Sequence, residues 1–200
     1  MEAEEKKQEL KERLELIEQM MAEGRQTTES WGWVFVLWGV AYYVAIGWAT
    51  WNHSWLAWPV TMTAGGMLTG AIASRMQRGQ PETTMGRAVG AVWIGMAISI
   101  SVTLFCLSWG GRTSLFVSTA VFSAMLGMAN IISATILRWK AQYFCAAVWL
   151  ASTIVACFAS ERVTAIVFLS ATFLGQIAFG IYAMICERQR RNRASGAIHG

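Results

Sequence analysis

The chain has 200 residues and a formal net charge of +4; hydrophobic residues make up 55% of it and charged residues only 14%. A water-soluble domain carries about 25% charged residues because its exterior must be solvated, so this composition excludes an ordinary soluble domain. Charge is also uneven, since nine of the twelve acidic residues precede Ser30. We therefore predict an all-α polytopic membrane protein, a bundle of six transmembrane helices preceded by a cytoplasmic amphipathic helix.

Residues 1–30 are highly charged and lack the apolar stretch of a secretory signal peptide. Their pattern predicts an amphipathic helix from about Ala3 to Ala22, which Gly24 is expected to end before a short linker. Apolar side chains recur in it at four–three–four spacing, which places them on one face. These predicted partner-docking residues are Leu10, Leu14, Ile17 and Met21.

Something must cover an apolar stripe on so charged a helix. Two heptads are too few for a stable coiled coil on their own, which argues against dimerisation through this helix alone. The polar face mixes glutamate with lysine and arginine and has no excess of basic residues, which argues against binding to the membrane surface. The stripe is therefore expected to dock either on the bundle or on another cytoplasmic or membrane protein.

Six windows of about 20 residues follow, each without internal charge and about long enough to cross a hydrocarbon core of about 30 Å. Backbone groups cannot stay unpaired in lipid, so each window is predicted to be a helix. They form a transmembrane domain over residues 31–187, followed by a basic cytoplasmic tail over residues 188–200. The predicted spans cover residues 31–51, 55–74, 88–109, 115–137, 142–160 and 163–186.

Lysine and arginine indicate the orientation of these spans. Fourteen of the sixteen lie on the side of the N-terminus, and only Arg112 and Arg162 lie on the other. Positively charged loops stay in the cytoplasm, so we expect both termini there and the protein in a bacterial inner membrane. Eight of the eleven tryptophans fall near predicted boundaries, as in an aromatic belt: Trp31, Trp33, Trp48, Trp51, Trp55, Trp58, Trp109 and Trp139.

Catalytic chemistry has little support in the sequence. No acidic, basic or histidine side chain lies inside a predicted span, although such groups mark proton relays, ion pathways and membrane active sites. We predict no enzyme activity, no metal, no cofactor and no nucleic-acid binding. The four cysteines are interpreted as apolar packing residues, and a disulfide between Cys106 and Cys157 is left open.

A few side chains at depth suggest an alternative. Asn130 and Gln176 are the most polar residues within the spans. Trp38, Trp93 and Trp149 recur at intervals of 55 and 56 residues, which suggests three parallel helical hairpins. These five residues are candidate contacts for an uncharged or hydrophobic solute, although isolated amides also commonly join neighbouring helices.

Small and basic residues complete the set of motifs. Gly66 and Gly70 form a GxxxG pair that is expected to pack helices inside the bundle. The alternative is that the pair packs helices of different copies in an oligomer. Four arginines after the last span fix its topology or attract anionic lipid headgroups. They are Arg188, Arg190, Arg191 and Arg193.

Two functions fit these features. The first is an accessory, regulatory or interaction subunit that docks through its N-terminal helix. The second is a small transporter, channel or sensor for an uncharged or hydrophobic solute held between helical hairpins. A fold of this kind serves many unrelated functions, so the sequence alone does not decide between them.

Overall fold

The computed structural model describes residues 2–53, 56–76 and 84–196, and helices make up nearly all of this part of the chain. Their order along the sequence matches the predicted spans. A π-helical segment, Phe173–Ala178, joins the last two α-helices into one continuous rod. The α-helices are α1 (Glu2–Ser30), α2 (Gly32–Asn52), α3 (Ala57–Met76), α4 (Thr84–Trp109), α5 (Leu115–Leu137), α6 (Lys140–Phe158), α7 (Glu161–Thr172) and α8 (Phe179–Gly196).

The described helices confirm an all-helical bundle of membrane type with an additional N-terminal helix. Five segments are long and apolar enough to cross a membrane: α2, α4, α5, α6 and the α7–α8 rod. The second predicted span also forms a helix, α3, whose 20 residues measure about 30 Å. Its threonines, glycines and serine make it more polar than the apolar windows of the other five segments.

α1 is longer than predicted. It continues through Gly24 and ends only at Ser30, so the prediction that Gly24 ends this helix is wrong. A glycine inside a helix costs only about 1 kcal/mol relative to alanine. Contacts with the bundle outweigh that cost, because Thr28 and Glu29 are buried where α1 meets the other helices.

The core of the bundle is centred on the α5–α6 hairpin. The hydroxyls of Ser123 and Ser152 lie 3.2 Å apart across its buried seam. Trp149 is fully buried on α6 and makes edge contacts with Phe122 and Phe168. Side chains from α2, α3 and α4 pack around the same cluster, so α5 and α6 position the remaining helices.

Glycines allow α2 and α8 to approach very closely. A Cβ atom on Gly180 would lie 2.6 Å from the carbonyl oxygen of Gly32 and 2.9 Å from the backbone nitrogen of Val36. Gly39, two turns further along α2, packs against a side chain: a Cβ atom there would lie 2.6 Å from Cγ1 of Ile177 in the π-helical segment. In lipid such close packing supplies the contact energy that hydrophobic burial supplies in water.

The predicted GxxxG pair does not contribute to this packing. α3 contacts α2 through Gly65, whose position faces Trp38 and Ala41. By contrast, a Cβ atom on Gly66 or Gly70 would meet no atom within 4 Å among the described residues. The expectation that this pair packs helices inside the bundle is therefore wrong, since the two glycines lie on the outer face of α3.

Tryptophans at the two ends of the bundle behave differently. Trp51 and Trp109 are largely exposed, as a headgroup belt requires. Trp139, at the turn between α5 and α6, is buried instead, because its ring packs against Phe179 of α8. The predicted belt position of Trp55 lies outside the described residues.

Candidate docking site and buried polar groups

Most of α1 extends away from the bundle. Every residue from Glu4 to Gln19 is exposed, a length of about 24 Å. Leu10, Leu14 and Ile17 are 62%, 55% and 47% exposed, and we call these three residues the docking stripe. Met21, the fourth predicted docking residue, is instead buried against the bundle.

The other end of α1 is fixed to the bundle by charge as well as by packing. A guanidinium nitrogen of Arg190 on α8 lies 2.7 Å from a carboxylate oxygen of Glu29. The Glu29 side chain is only 4% exposed, whereas that of Arg190 is 43% exposed. The contact is an ion pair between a buried carboxylate and a half-exposed guanidinium. A buried carboxylate is costly unless a cation lies beside it, and Arg190 supplies that cation.

This pair changes the interpretation of the four arginines at the end of the chain. Arg190 binds Glu29, and Arg191 pairs with Glu187 one turn earlier on α8. Arg188 and Arg193 are exposed. Two of the four predicted headgroup contacts are therefore also engaged within the protein, which gives the basic segment a structural role.

The five predicted solute contacts lie within or against the core of the bundle. Trp149 belongs to the central cluster, and Trp38 and Trp93 pack against it, so these three tryptophans converge on one region. Asn130 is fully buried, and its amide nitrogen donates to the carbonyl oxygen of Leu126, 2.8 Å away on the same helix. Both tryptophan packing and this local hydrogen bond are structural uses of these residues.

The π-helical segment was not predicted from the sequence. Gln176 lies within it and is buried. A Cβ atom on Gly175 would lie 2.5 Å from the indole nitrogen of Trp149, so the ring occupies the space that glycine leaves. The hydroxyl of Tyr43 donates to the carbonyl oxygen of Leu169, 2.9 Å away, just before the π turn begins. π turns often occur at functional sites, but hydropathy alone does not distinguish them from α-helix.

Gln142 is a buried polar residue that the sequence analysis missed. Its side chain is fully buried near the start of α6, and neither its amide oxygen nor its amide nitrogen has a hydrogen-bond partner among the described residues. The predicted fifth span began at this residue, so it was taken to lie at the membrane boundary. The tertiary structure instead places Gln142 in the interior of the bundle, beside the turn at Trp139, which is also buried.

Metal-binding residues cannot be assigned in the described part of the chain, because no three His, Cys, Asp or Glu side chains come together there. All four cysteines are free thiols. Cys106 and Cys157, whose pairing the sequence left open, are both exposed, one on α4 and the other on α6. The structure therefore contains no disulfide between them.

Comparison with family models, with curated proteins and with solved structures yields no match to this chain. Two features of the molecule itself bear on its function. One is the projecting α1 with its docking stripe, and the other is the set of buried polar groups around α5 and α6.

Replacing Gln142 by methionine distinguishes two roles for its amide. A buried amide without partners costs about 1–3 kcal/mol, so Gln142→Met should raise the thermal unfolding midpoint of the detergent-solubilised protein. The matched variant Gln142→Glu should lower the midpoint, because it buries a carboxyl group at the same place. A lower midpoint for the methionine variant would contradict an unpaired amide at this position.

Proposed function

We propose that this protein is a non-catalytic accessory or regulatory membrane subunit that binds a protein partner through α1. One observation carries the proposal: Leu10, Leu14 and Ile17 form an exposed apolar stripe on a helix whose other end is fixed to the bundle. Exposed apolar area of this kind on a cytoplasmic segment marks an interaction surface.

The attachment of α1 to the bundle favours binding. Met21, Thr28 and Glu29 hold the base of the helix against the bundle, so the docking stripe has a defined direction before a partner arrives. A preorganised surface loses less conformational entropy on association than a free peptide does. The anchored arm can therefore use a stripe that is too short for a free-standing coiled coil.

We further propose that all six segments, α2 to α6 and the α7–α8 rod, cross a bacterial inner membrane, with both termini in the cytoplasm. The excess of lysine and arginine on one side supports this orientation. α3 belongs to the set despite its more polar composition, because it is long enough to span and packs along α2. α1 and its docking stripe then lie in the cytoplasm.

A second candidate function is a transporter, channel or sensor for an uncharged solute. Its support is the buried amide of Gln142 and the amide oxygen of Asn130, neither of which has a hydrogen-bond partner among the described side chains. A polar solute or water could satisfy both. The Gln142→Met measurement tests the premise of this candidate, which is whether the buried amide has a partner.

The partner-binding proposal is tested with aspartate substitutions on opposite faces of α1. Leu14→Asp/Ile17→Asp alters the docking stripe, and Gln8→Asp/Gln19→Asp introduces the same residue on the back of the same helix. Each full-length variant is expressed in place of the native protein, and its membranes are treated with a short cross-linker. We expect the stripe variant to lose the cross-linked complex at least tenfold and the control to retain it.

The outcome is interpreted only for variants that still fold. All the substituted positions are exposed, so both variants should elute as the native protein does and unfold at the same temperature. An adduct of unchanged yield and mass in the stripe variant would overturn the proposal. An adduct whose mass is a multiple of the 22.1 kDa chain would identify the partner as a second copy.

A further inference from the structure

A single residue, Trp31, separates α1 from α2. Its backbone angles, φ −94° and ψ 8°, lie in the sparsely populated bridge region, and no side chain caps the start of α2. The nitrogen of Trp31 donates to the carbonyl oxygen of Thr28, 3.2 Å away, and the nitrogen of Val34 donates to that of Trp31, 2.9 Å away. Both bonds span three residues, as in a 3₁₀ turn. The α-helical pattern of hydrogen bonds is therefore interrupted at Trp31, where α1 can turn relative to α2.

The docking stripe lies far from this interruption. Leu10 precedes Trp31 by 21 residues, about 32 Å at the rise of an α-helix. Glu29 precedes it by only two residues, about 3 Å by the same rise. A rotation of about 10° at Trp31 would therefore move Leu10 by about 6 Å and Glu29 by less than about 1 Å. Contacts at the base of α1 thus decide where the stripe points.

Two buried side chains at the base of α1 differ in how firmly they fix its angle. Met21 is buried against the bundle, about 15 Å from Trp31. An unbranched methionine adapts readily to a shifted apolar surface, so Met21 tolerates a range of angles. The carboxylate of Glu29 is only 4% exposed and lies 2.7 Å from a guanidinium nitrogen of Arg190. Moving a buried charge away from the cation that offsets it is costly, so Glu29 restricts the angle.

The bundle holds Arg190 in place. α8 packs closely on α2 at Gly180, ten residues before Arg190 in the same helix. The Arg190 side chain is 43% exposed, so water reaches the cation, whereas the carboxylate of Glu29 is enclosed. The ion pair therefore joins a partly solvated cation of the bundle to a buried anion of α1.

We propose that α1 is a hinged arm: Trp31 is its pivot, and the Glu29–Arg190 ion pair is the latch that holds it in the observed direction. When the latch opens, α1 turns about Trp31 as an intact helix and the bundle stays folded. One ion pair then controls the direction of the docking stripe. This inference goes beyond the proposed function, because it does not require that a partner binds the stripe.

The test measures a distance between the arm and the bundle by double electron–electron resonance on the full-length protein in nanodiscs. Spin labels are attached to keto amino acids introduced at Gln8 on α1 and Lys140 on α6, both exposed, so the native cysteines stay in place. The native chain should give a narrow distance distribution. Glu29→Gln, which removes the buried charge and keeps the shape of the side chain, should make the distribution about twice as wide, because the angle is no longer held by an ion pair.

Further variants separate the latch from a general effect of charge. Arg190→Gln should widen the distribution at least as much as Glu29→Gln, because it leaves the buried carboxylate without this cation. The double variant Glu29→Gln/Arg190→Gln should also widen it, and it removes the buried charge, so it provides a folded test if Arg190→Gln does not fold. The controls, Arg13→Gln and Glu15→Gln, make the same chemical changes at exposed positions of α1 and should keep the native width.

Three results would overturn the inference. The first is a native width in both Glu29→Gln and the double variant, and the second is equal widening in the controls. The third is a loss of helical signal in far-ultraviolet circular dichroism together with the widening, because the arm would then unfold instead of turning. The proposed function fails separately: it falls if the cross-linked complex survives Leu14→Asp/Ile17→Asp, and the width of the distance distribution does not bear on that result.

Discussion

Replacing Gly180 by alanine should destabilise the bundle by about 1–3 kcal/mol, the usual cost of forcing an extra group into a packed interior. The new Cβ atom would lie 2.6 Å from the carbonyl oxygen of Gly32 and 2.9 Å from the nitrogen of Val36. Both are backbone atoms, so a rotamer change cannot relieve the clash and α2 and α8 must move apart. Thermal unfolding in detergent, followed by size exclusion after heating, measures the loss.

Gly66→Ala is the matched control for that substitution. It makes the same chemical change in another helix of the bundle, at a position where the new Cβ atom meets nothing within 4 Å among the described residues. The substitution should leave the unfolding midpoint unchanged or raise it slightly, because alanine favours helix over glycine by about 1 kcal/mol. Equal destabilisation by the two variants would contradict the close α2–α8 contact.

This pair of glycines shows what the sequence could and could not predict. Gly66 and Gly70 form a recognisable GxxxG motif, yet they lie on the outer face of α3. A close backbone contact between helices instead involves Gly32 and Gly180, which are 148 residues apart and share no local motif. Sequence spacing reports which residues share a face of one helix, but which helix meets that face depends on tertiary packing.

The helices themselves were more predictable than their contacts. Hydrophobic length and the cost of unpaired backbone groups in lipid determine where a helix lies, and the fourth predicted span matches α5 at both ends, Leu115 and Leu137. The end of α1 was missed because burial of Glu29 beside Arg190 outweighs the local effect of Gly24. That contact joins two distant segments, so no window of sequence contains it.

The same reasoning applies to the candidate site. The docking stripe was predictable because four–three spacing is a local pattern. Which of the four predicted docking residues stay exposed was not predictable, because the burial of Met21 depends on where the bundle lies relative to α1. This division has a consequence: the buried part of the stripe anchors the helix, while Leu10, Leu14 and Ile17 remain available. Of the two alternatives that the sequence posed, docking on the bundle is therefore observed for one part of the helix, and docking on a partner is our proposal for the exposed part.

Reporter fusions should place the turn after α4 and the turn after α6 outside the cytoplasm, and the C-terminus inside it. Alkaline phosphatase fused after Arg112 or Ala159 should be active, whereas green fluorescent protein at the C-terminus should fluoresce. α3 decides this result, because if it did not cross the membrane every later segment would be inverted. All three reporters would then give the opposite result, and Arg138, Lys140 and the four terminal arginines would lie outside, against the usual bias.

The contact between α2 and α3 explains why we expect the first outcome. A Cβ atom on Gly65 would lie 3.8 Å from the Cβ atom of Ala41 and 3.8 Å from the ring of Trp38. From Gly65, α3 continues for eleven residues to Met76, about 17 Å, whereas α2 begins nine residues before Ala41, about 14 Å away. α3 therefore reaches the level at which α2 starts. We therefore expect α3 to cross the membrane beside α2, even though its threonines and glycines make it more polar than the five helices that qualify as spans.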